Sequence, residues 1–108
     1  MAGEVKMLTK AEFDDLVAAE TKLIVIDFYA TWCGPCKMIA PKIQELAKSL
    51  DDVVFAKVDV DEEEDLAQEC GVEAMPTFLF YKGGKKVDEM KGANKEKLEE
   101  LVQKHRKE

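Results

Sequence analysis

The chain has 108 residues, 46% of them hydrophobic, with 23 acidic against 16 basic side chains and a formal net charge of −7. That length supports one domain, residues 1–108, with a core of its own, and the periodic apolar content excludes a disordered chain. The negative charge disfavours nucleic acid and anionic membrane surfaces as partners, and no apolar run approaches the roughly 20 residues of a membrane-spanning helix.

In chain order, Met1 to Lys6 carries no apolar signal core, which points to the cytoplasm, the nucleus included. Val5 to Leu8 predicts a short first strand. Thr9-Lys10-Ala11-Glu12 is a capping box, so a helix opens there and turns Phe13, Leu16 and Val17 inward. Leu23 to Ala30 is apolar on both faces apart from Asp27 and the Tyr29 hydroxyl, the pattern of a central strand. Alternation puts Asp27 on one face with Leu23, Val25 and Tyr29. That face is expected to meet the next helix.

Cys33 and Cys36 follow directly, at the joint between this strand and a helix from about Gly34 to Leu50. The helix carries Ile39, Ile43, Leu46 and Leu50 on one stripe, with Pro41 in its interior, where a kink is expected. A helix N-terminus favours negative charge, so a thiolate at Cys33 is stabilised. Positions three apart share a helix face, so Cys36 can reach the Cys33 sulfur. Cys33 comes first and lies at the exposed helix start, which makes it the attacking thiol. Trp32 is expected as an exposed flank. Two alternatives stay open here. One is half of a zinc site completed by Cys70 and His105, although zinc usually takes two such pairs. The other is a structural disulfide, although so short a loop constrains the unfolded chain little. Three cysteines cannot all pair within one chain, which fits a reducing compartment with one working pair.

Asp27 should lie beneath Cys36, stripped of water, with its pKa raised. We read it as the proton acceptor for Cys36, because perturbed groups behind a reactive pair are often its acid–base. Lys57 on the next strand is its natural partner. The structural alternative is a buried aspartate held by Lys57.

Val53 to Val58 is that next strand, completing a β-α-β unit with a right-handed crossover. Asp59 and the run Asp61 to Asp65 read as a solvated helix start. Leu66, Ala67 and Cys70 form a short inward stripe closed by Gly71, with Cys70 a small hydrophobe. Thr77 to Tyr81 and Lys86 to Met90 flank Gly83-Gly84 as a hairpin. Asn94 caps a last helix with Leu98, Leu101, Val102 and His105 on one stripe. His105 receives no catalytic role. Met7, Met38 and Met90 read as core filler.

Asp27-Phe28, the run Ala30-Thr31-Trp32-Cys33-Gly34-Pro35-Cys36-Lys37, Lys57, Asp59, Met75-Pro76-Thr77, Gly84 and Gly92-Ala93-Asn94 resemble the thioredoxin family, its eukaryotic cytosolic members most. The resemblance covers essentially the whole chain. It implies an α/β thioredoxin fold, a mixed five-stranded sheet with helices on both faces. It implies reduction of protein disulfides by dithiol–disulfide exchange, with Cys33 as nucleophile and Cys36 as resolving thiol. Disulfide-containing proteins are then the substrates, and electrons come from NADPH through a flavoprotein thioredoxin reductase. No bound cofactor or metal is implied, and a monomer is expected. The substrate surface would comprise Trp32, Gly34, Pro35, Met75, Pro76 and Gly92, with a cis Met75–Pro76 bond. Glu63 and Ala74 stand where vertebrate cytosolic members often carry further cysteines, which argues against a second regulatory disulfide and a disulfide-linked dimer.

Overall fold

The computed structural model describes residues 3–108. The elements run β1 (Val5–Met7), α1 (Lys10–Ala19), β2 (Leu23–Tyr29), α2 (Gly34–Ser49), β3 (Val53–Asp59), α3 (Glu64–Glu69), β4 (Thr77–Lys82), β5 (Lys85–Lys91) and α4 (Lys95–Arg106). The sheet order is β1-β3-β2-β4-β5. β1 and β2 pair parallel with β3, whereas β4 is antiparallel to both β2 and β5. β2 is the middle strand, and the cysteine pair follows its C-terminal end.

Period-2 alternation divides the core into two layers. Leu23, Val25, Val53, Phe55, Phe78 and Phe80 meet Ile39, Ile43 and Leu46 of α2 and Leu98, Leu101 and Val102 of α4. Ile24, Ile26, Phe28, Ala56, Val58 and Leu79 meet Phe13, Leu66 and Ala67 from the α1 and α3 side. Both faces of β2 and β3 are therefore covered, as their continuous apolar runs require. Asp27 and Lys57 belong by alternation to the α2 face and pair in register across β2 and β3.

Local chemistry sets the ends. Thr9 Oγ1 accepts from the Glu12 N–H while Glu12 reaches back to the Thr9 N–H, a complete capping box. Asn94 caps α4 through the Lys97 N–H. Gly83 and Gly84 take φ of 63° and 81° between Lys82 and Lys85, the doubly positive geometry of a two-residue hairpin turn. α2 runs on past Pro41 to Ser49. Among the described residues, no helix is long and apolar enough to cross a membrane.

Two of the three core methionines are corrected. Met90 is buried, but Met7 is 45% exposed and Met38 68%. Met7 lies on the edge strand. Met38 falls outside the α2 stripe formed by Cys36, Ile39, Ile43 and Leu46. His105 is buried on its stripe as expected, but as a polar anchor. Its Nε2 lies 2.8 Å from Asp88 Oδ2 and its Nδ1 2.7 Å from Glu108 Oε1. Burial disfavours the charged ring, yet the two carboxylates outweigh it and hold His105 above its ordinary pKa.

Candidate active site

Cys33 is the N-cap of α2, with extended backbone at φ −87° and ψ 112°. The Cys36 N–H donates to Cys33 Sγ over 3.2 Å. This is the capping geometry of a serine or aspartate with sulfur in the acceptor position, so the joint is built to hold negative charge on that sulfur. Pro35 stands in the first turn, where an absent N–H costs nothing. The two sulfurs are bonded at 2.28 Å, with their Cα atoms 5.3 Å apart.

The expected exposure of Cys33 is not found. Cys33 is 5% exposed and Cys36 4%. Ala30 and the two cysteines form one cluster, against which Tyr29, Val60 and Met75 pack. The Met75 carbonyl oxygen lies 3.7 Å from Cys33 Sγ, so a distant loop covers the sulfur. Position at the helix start, rather than exposure, separates the two thiols.

The walls of the joint come from three places. Trp32 is 65% exposed, and its indole N–H donates to Asp61 Oδ2 at 2.8 Å. Met75–Pro76 is cis. The Gly92 N–H donates to the Pro76 carbonyl at 2.9 Å, and Gly92 has φ +95°, where side chains are rarely accommodated. A Cβ at Gly34 or Gly92 would meet no atom within 4 Å, so both glycines face open space.

Asp59 is buried, not a member of a solvated run. Its Oδ1 accepts from the Asp61 N–H at 2.9 Å, a turn that carries Asp61 to Trp32. Sequence reading missed this pair. The sequence holds no signal that singles Asp59 out, because every aspartate with a chain amide two residues on can form an Asx-turn. Glu63 caps at a distance, accepting from the Lys10 N–H at 2.9 Å.

Asp27 lies behind the cysteines, 6% exposed, on a cavity of about 290 Å³ that Cys36, Lys37, Lys57 and Tyr29 also line. Its Oδ1 is buried with no hydrogen-bond partner among the described residues. Burial pushes the carboxyl up from 3.8 to about 7, and the positive charge of Lys57 only partly opposes this. An orphaned buried oxygen is rare enough in native proteins to need an explanation, and a reactive role is one of few. The ion pair offered as the structural alternative does not form. Lys57 is the register neighbour of Asp27, but its ammonium lies 5.5 Å from the centroid of the Tyr29 ring. The two strands thus bring the residues together without joining their charges.

Neither remaining zinc candidate reaches the pair. His105 is engaged through both ring nitrogens, and Cys70 packs in the α1/α3 layer beside Tyr81. Burial pushes the Cys70 thiol up, which makes it a poor nucleophile. Cys70→Ser should therefore keep disulfide-reductase activity near that of the parent. A loss beyond about tenfold, with the far-ultraviolet circular dichroism unchanged, would put Cys70 in the chemistry.

The family model described as Thioredoxin matches residues 4–104. The chain is 58% identical over 93 residues to thioredoxin of Gallus gallus, covering 85% of this chain and 89% of that one. It is 54% identical over 95 residues to thioredoxin of Homo sapiens, covering 87% and 90%. Its fold matches the X-ray structure of Fasciola hepatica thioredoxin with a TM-score of 0.90 at 50% identity, over 94% of this chain and 99% of that one.

Proposed function

The chain belongs to the thioredoxin family, and from that premise we propose how its residues divide the work of a protein-disulfide reductase. The activity is dithiol–disulfide exchange through Cys33 and Cys36, recycled by a thioredoxin reductase. In the reduced protein, the Cys33 thiolate attacks one sulfur of a substrate disulfide. A mixed disulfide forms and one substrate thiolate leaves. Asp27 then takes the Cys36 proton, and the Cys36 sulfur attacks Cys33 Sγ. The Cys33–Cys36 bond closes, the second substrate thiolate leaves, and the substrate has gained two electrons. Lys57 supplies the positive charge that limits how far the Asp27 carboxyl is raised.

Trp32, Gly34, Pro35, Met75, Pro76 and Gly92 form the substrate-binding surface in this reading. The Met75 carbonyl beside Cys33 Sγ offers an acceptor to an extended substrate strand, a mode that binds main chain rather than particular side chains. Partners are then disulfide-containing proteins of varied sequence. The chain acts as one domain and as a monomer in the cytoplasm and nucleus, with no bound cofactor and NADPH used only through the reductase.

The observation that carries the reading is the placement of both sulfurs at the N-terminus of α2, with an unpartnered carboxylate behind them. Insulin disulfide reduction, driven by NADPH and a thioredoxin reductase, tests it. Steady NADPH consumption that depends on the chain is expected. Consumption no faster than with the reductase alone would sink the reading.

A further inference from the structure

We propose that Tyr29 is a positioning residue for the exchange reaction: its ring holds the Lys57 ammonium off the Asp27 carboxylate and so keeps that carboxylate an unpartnered base. The inference rests on the reading of Asp27 as proton acceptor. Asp27 and Lys57 are register neighbours, on the same face of adjacent strands, about 5 Å apart. Opposite charges so placed ordinarily pair. Here Asp27 Oδ1 has no hydrogen-bond partner, and the ammonium sits 5.5 Å from the Tyr29 centroid.

Tyr29 is two residues on from Asp27, so it shares that face of β2, and Lys57 is its diagonal neighbour on β3. The Lys57 stem is therefore long enough to serve either site. The ring needs to tip only a modest balance. A lysine ammonium is strongly hydrated, and burying it beside Asp27 would strip that water. Over the half-buried ring it keeps a wet side and gains a cation–π contact, worth roughly 0.5–2 kcal/mol in general. The charges of Asp59, Asp27 and Glu62 all act on Tyr29, so the ammonium also stays in a negative field at the ring. The tyrosine hydroxyl takes no part, being turned to Met7 Sδ at 3.9 Å.

The one further cation on the cavity, Lys37, makes no ion pair with Asp27 among the described residues. β4 brings Phe78 into register with it, and α2 brings Cys36 and Lys37 to the cavity. The burial that raises the Asp27 carboxyl is thus left opposed only by a displaced Lys57, which agrees with its position near 7.

The test is a titration of the Asp27 carboxyl carbon by NMR in the disulfide form, which removes the coupled thiols. Tyr29→Leu frees the ammonium, and the Asp27 midpoint should fall by roughly one pH unit, the lower end of what an adjacent opposite charge does. Tyr29→Phe keeps the ring and should leave the midpoint where it stands in the parent. In a Lys57→Met background, Tyr29→Leu should no longer lower it. Tyr29→Met replaces Tyr29→Leu if the leucine variant does not fold. An unmoved midpoint in Tyr29→Leu, an equal fall in Tyr29→Phe, or an equal fall without Lys57 overturns the proposal. If the midpoint falls in Tyr29→Leu while Asp27→Ala resolves the adduct at the parent rate, Tyr29 still sets the state of the Asp27 carboxyl, but the reading of Asp27 as proton acceptor fails and with it any part for Tyr29 in the exchange.

Discussion

Cys33→Ser should be inert toward substrate disulfides, whereas Cys36→Ser should react once and stop as a mixed disulfide with substrate. Burial does not separate the two sulfurs, since both are nearly hidden in the closed form. Electrostatics does. Cys33 Sγ is the acceptor at the N-cap, held by the Cys36 N–H and facing the positive end of α2. Charge at such a position is favoured by about 0.3–1 kcal/mol at exposed sites and up to about 2 where partly buried. The Cys36 sulfur instead borders a cavity whose acid has no ion-pair partner. In the resolving step its proton goes to Asp27. Removing Cys33 removes the only ready thiolate, so multiple turnover and mixed-disulfide formation both vanish. Removing Cys36 leaves attack intact and deletes the resolving sulfur, so turnover vanishes while the adduct accumulates. Non-reducing electrophoresis and mass spectrometry of each variant after mixing with oxidised substrate read the difference. Adduct with Cys33→Ser and none with Cys36→Ser would reverse the assignment.

The strand-to-helix joint was legible in the sequence because every signal for it is local. The continuous apolar run of Leu23–Tyr29, the capping box at Thr9 and the turn at Gly83-Gly84 each involve residues within a few positions. Even the face of Asp27 followed, because a strand has only two. What escaped depends on chain brought from afar or on side-chain torsions. Met75 is 42 residues from Cys33 and hides it, so the helix start is less exposed than its own sequence implies. Register makes Lys57 the neighbour of Asp27 but does not choose between two reachable sites for a flexible stem. Met38 was misread for another reason. Methionine is apolar wherever it lies, and composition gives it a core role that its angle on α2 does not support. Asp59 was absorbed into an acidic run, whereas its Asx-turn sets the position of Asp61 against Trp32.

Asp27→Ala should make the protein more stable at neutral pH and slower in the step that Cys36 performs. The sign follows from proton linkage. The native carboxyl titrates near 7, raised mainly by burial and opposed by Lys57, whereas an unfolded aspartate titrates near 3.9. Between those values the native state holds the proton and the unfolded state releases it, so stability falls as pH rises. The penalty is absent below about pH 4, grows through the interval, and is fully developed above about 7. At about 1.4 kcal/mol per pH unit it approaches roughly 4 kcal/mol, set against the packing lost with a truncated side chain. Because the carboxylate already borders a cavity and lacks a hydrogen bond on Oδ1, that loss is at the small end. Urea unfolding should therefore show Asp27→Ala more stable than the parent by on the order of 2–3 kcal/mol at pH 8, with the gap closing near pH 5 and reversing by about 1–2 kcal/mol at pH 4, where only the lost packing remains. The kinetic consequence is selective. A positioned base contributes roughly 10²–10⁴-fold, and the expected loss is near 10² because water can also accept the thiol proton. Attack by Cys33 should change little, because its charge is stabilised by the α2 N-terminus instead. Stopped-flow measurement of adduct formation and adduct resolution separates the two steps. A variant less stable than the parent at pH 8, with resolution at the parent rate, would make Asp27 a structural residue and nothing more.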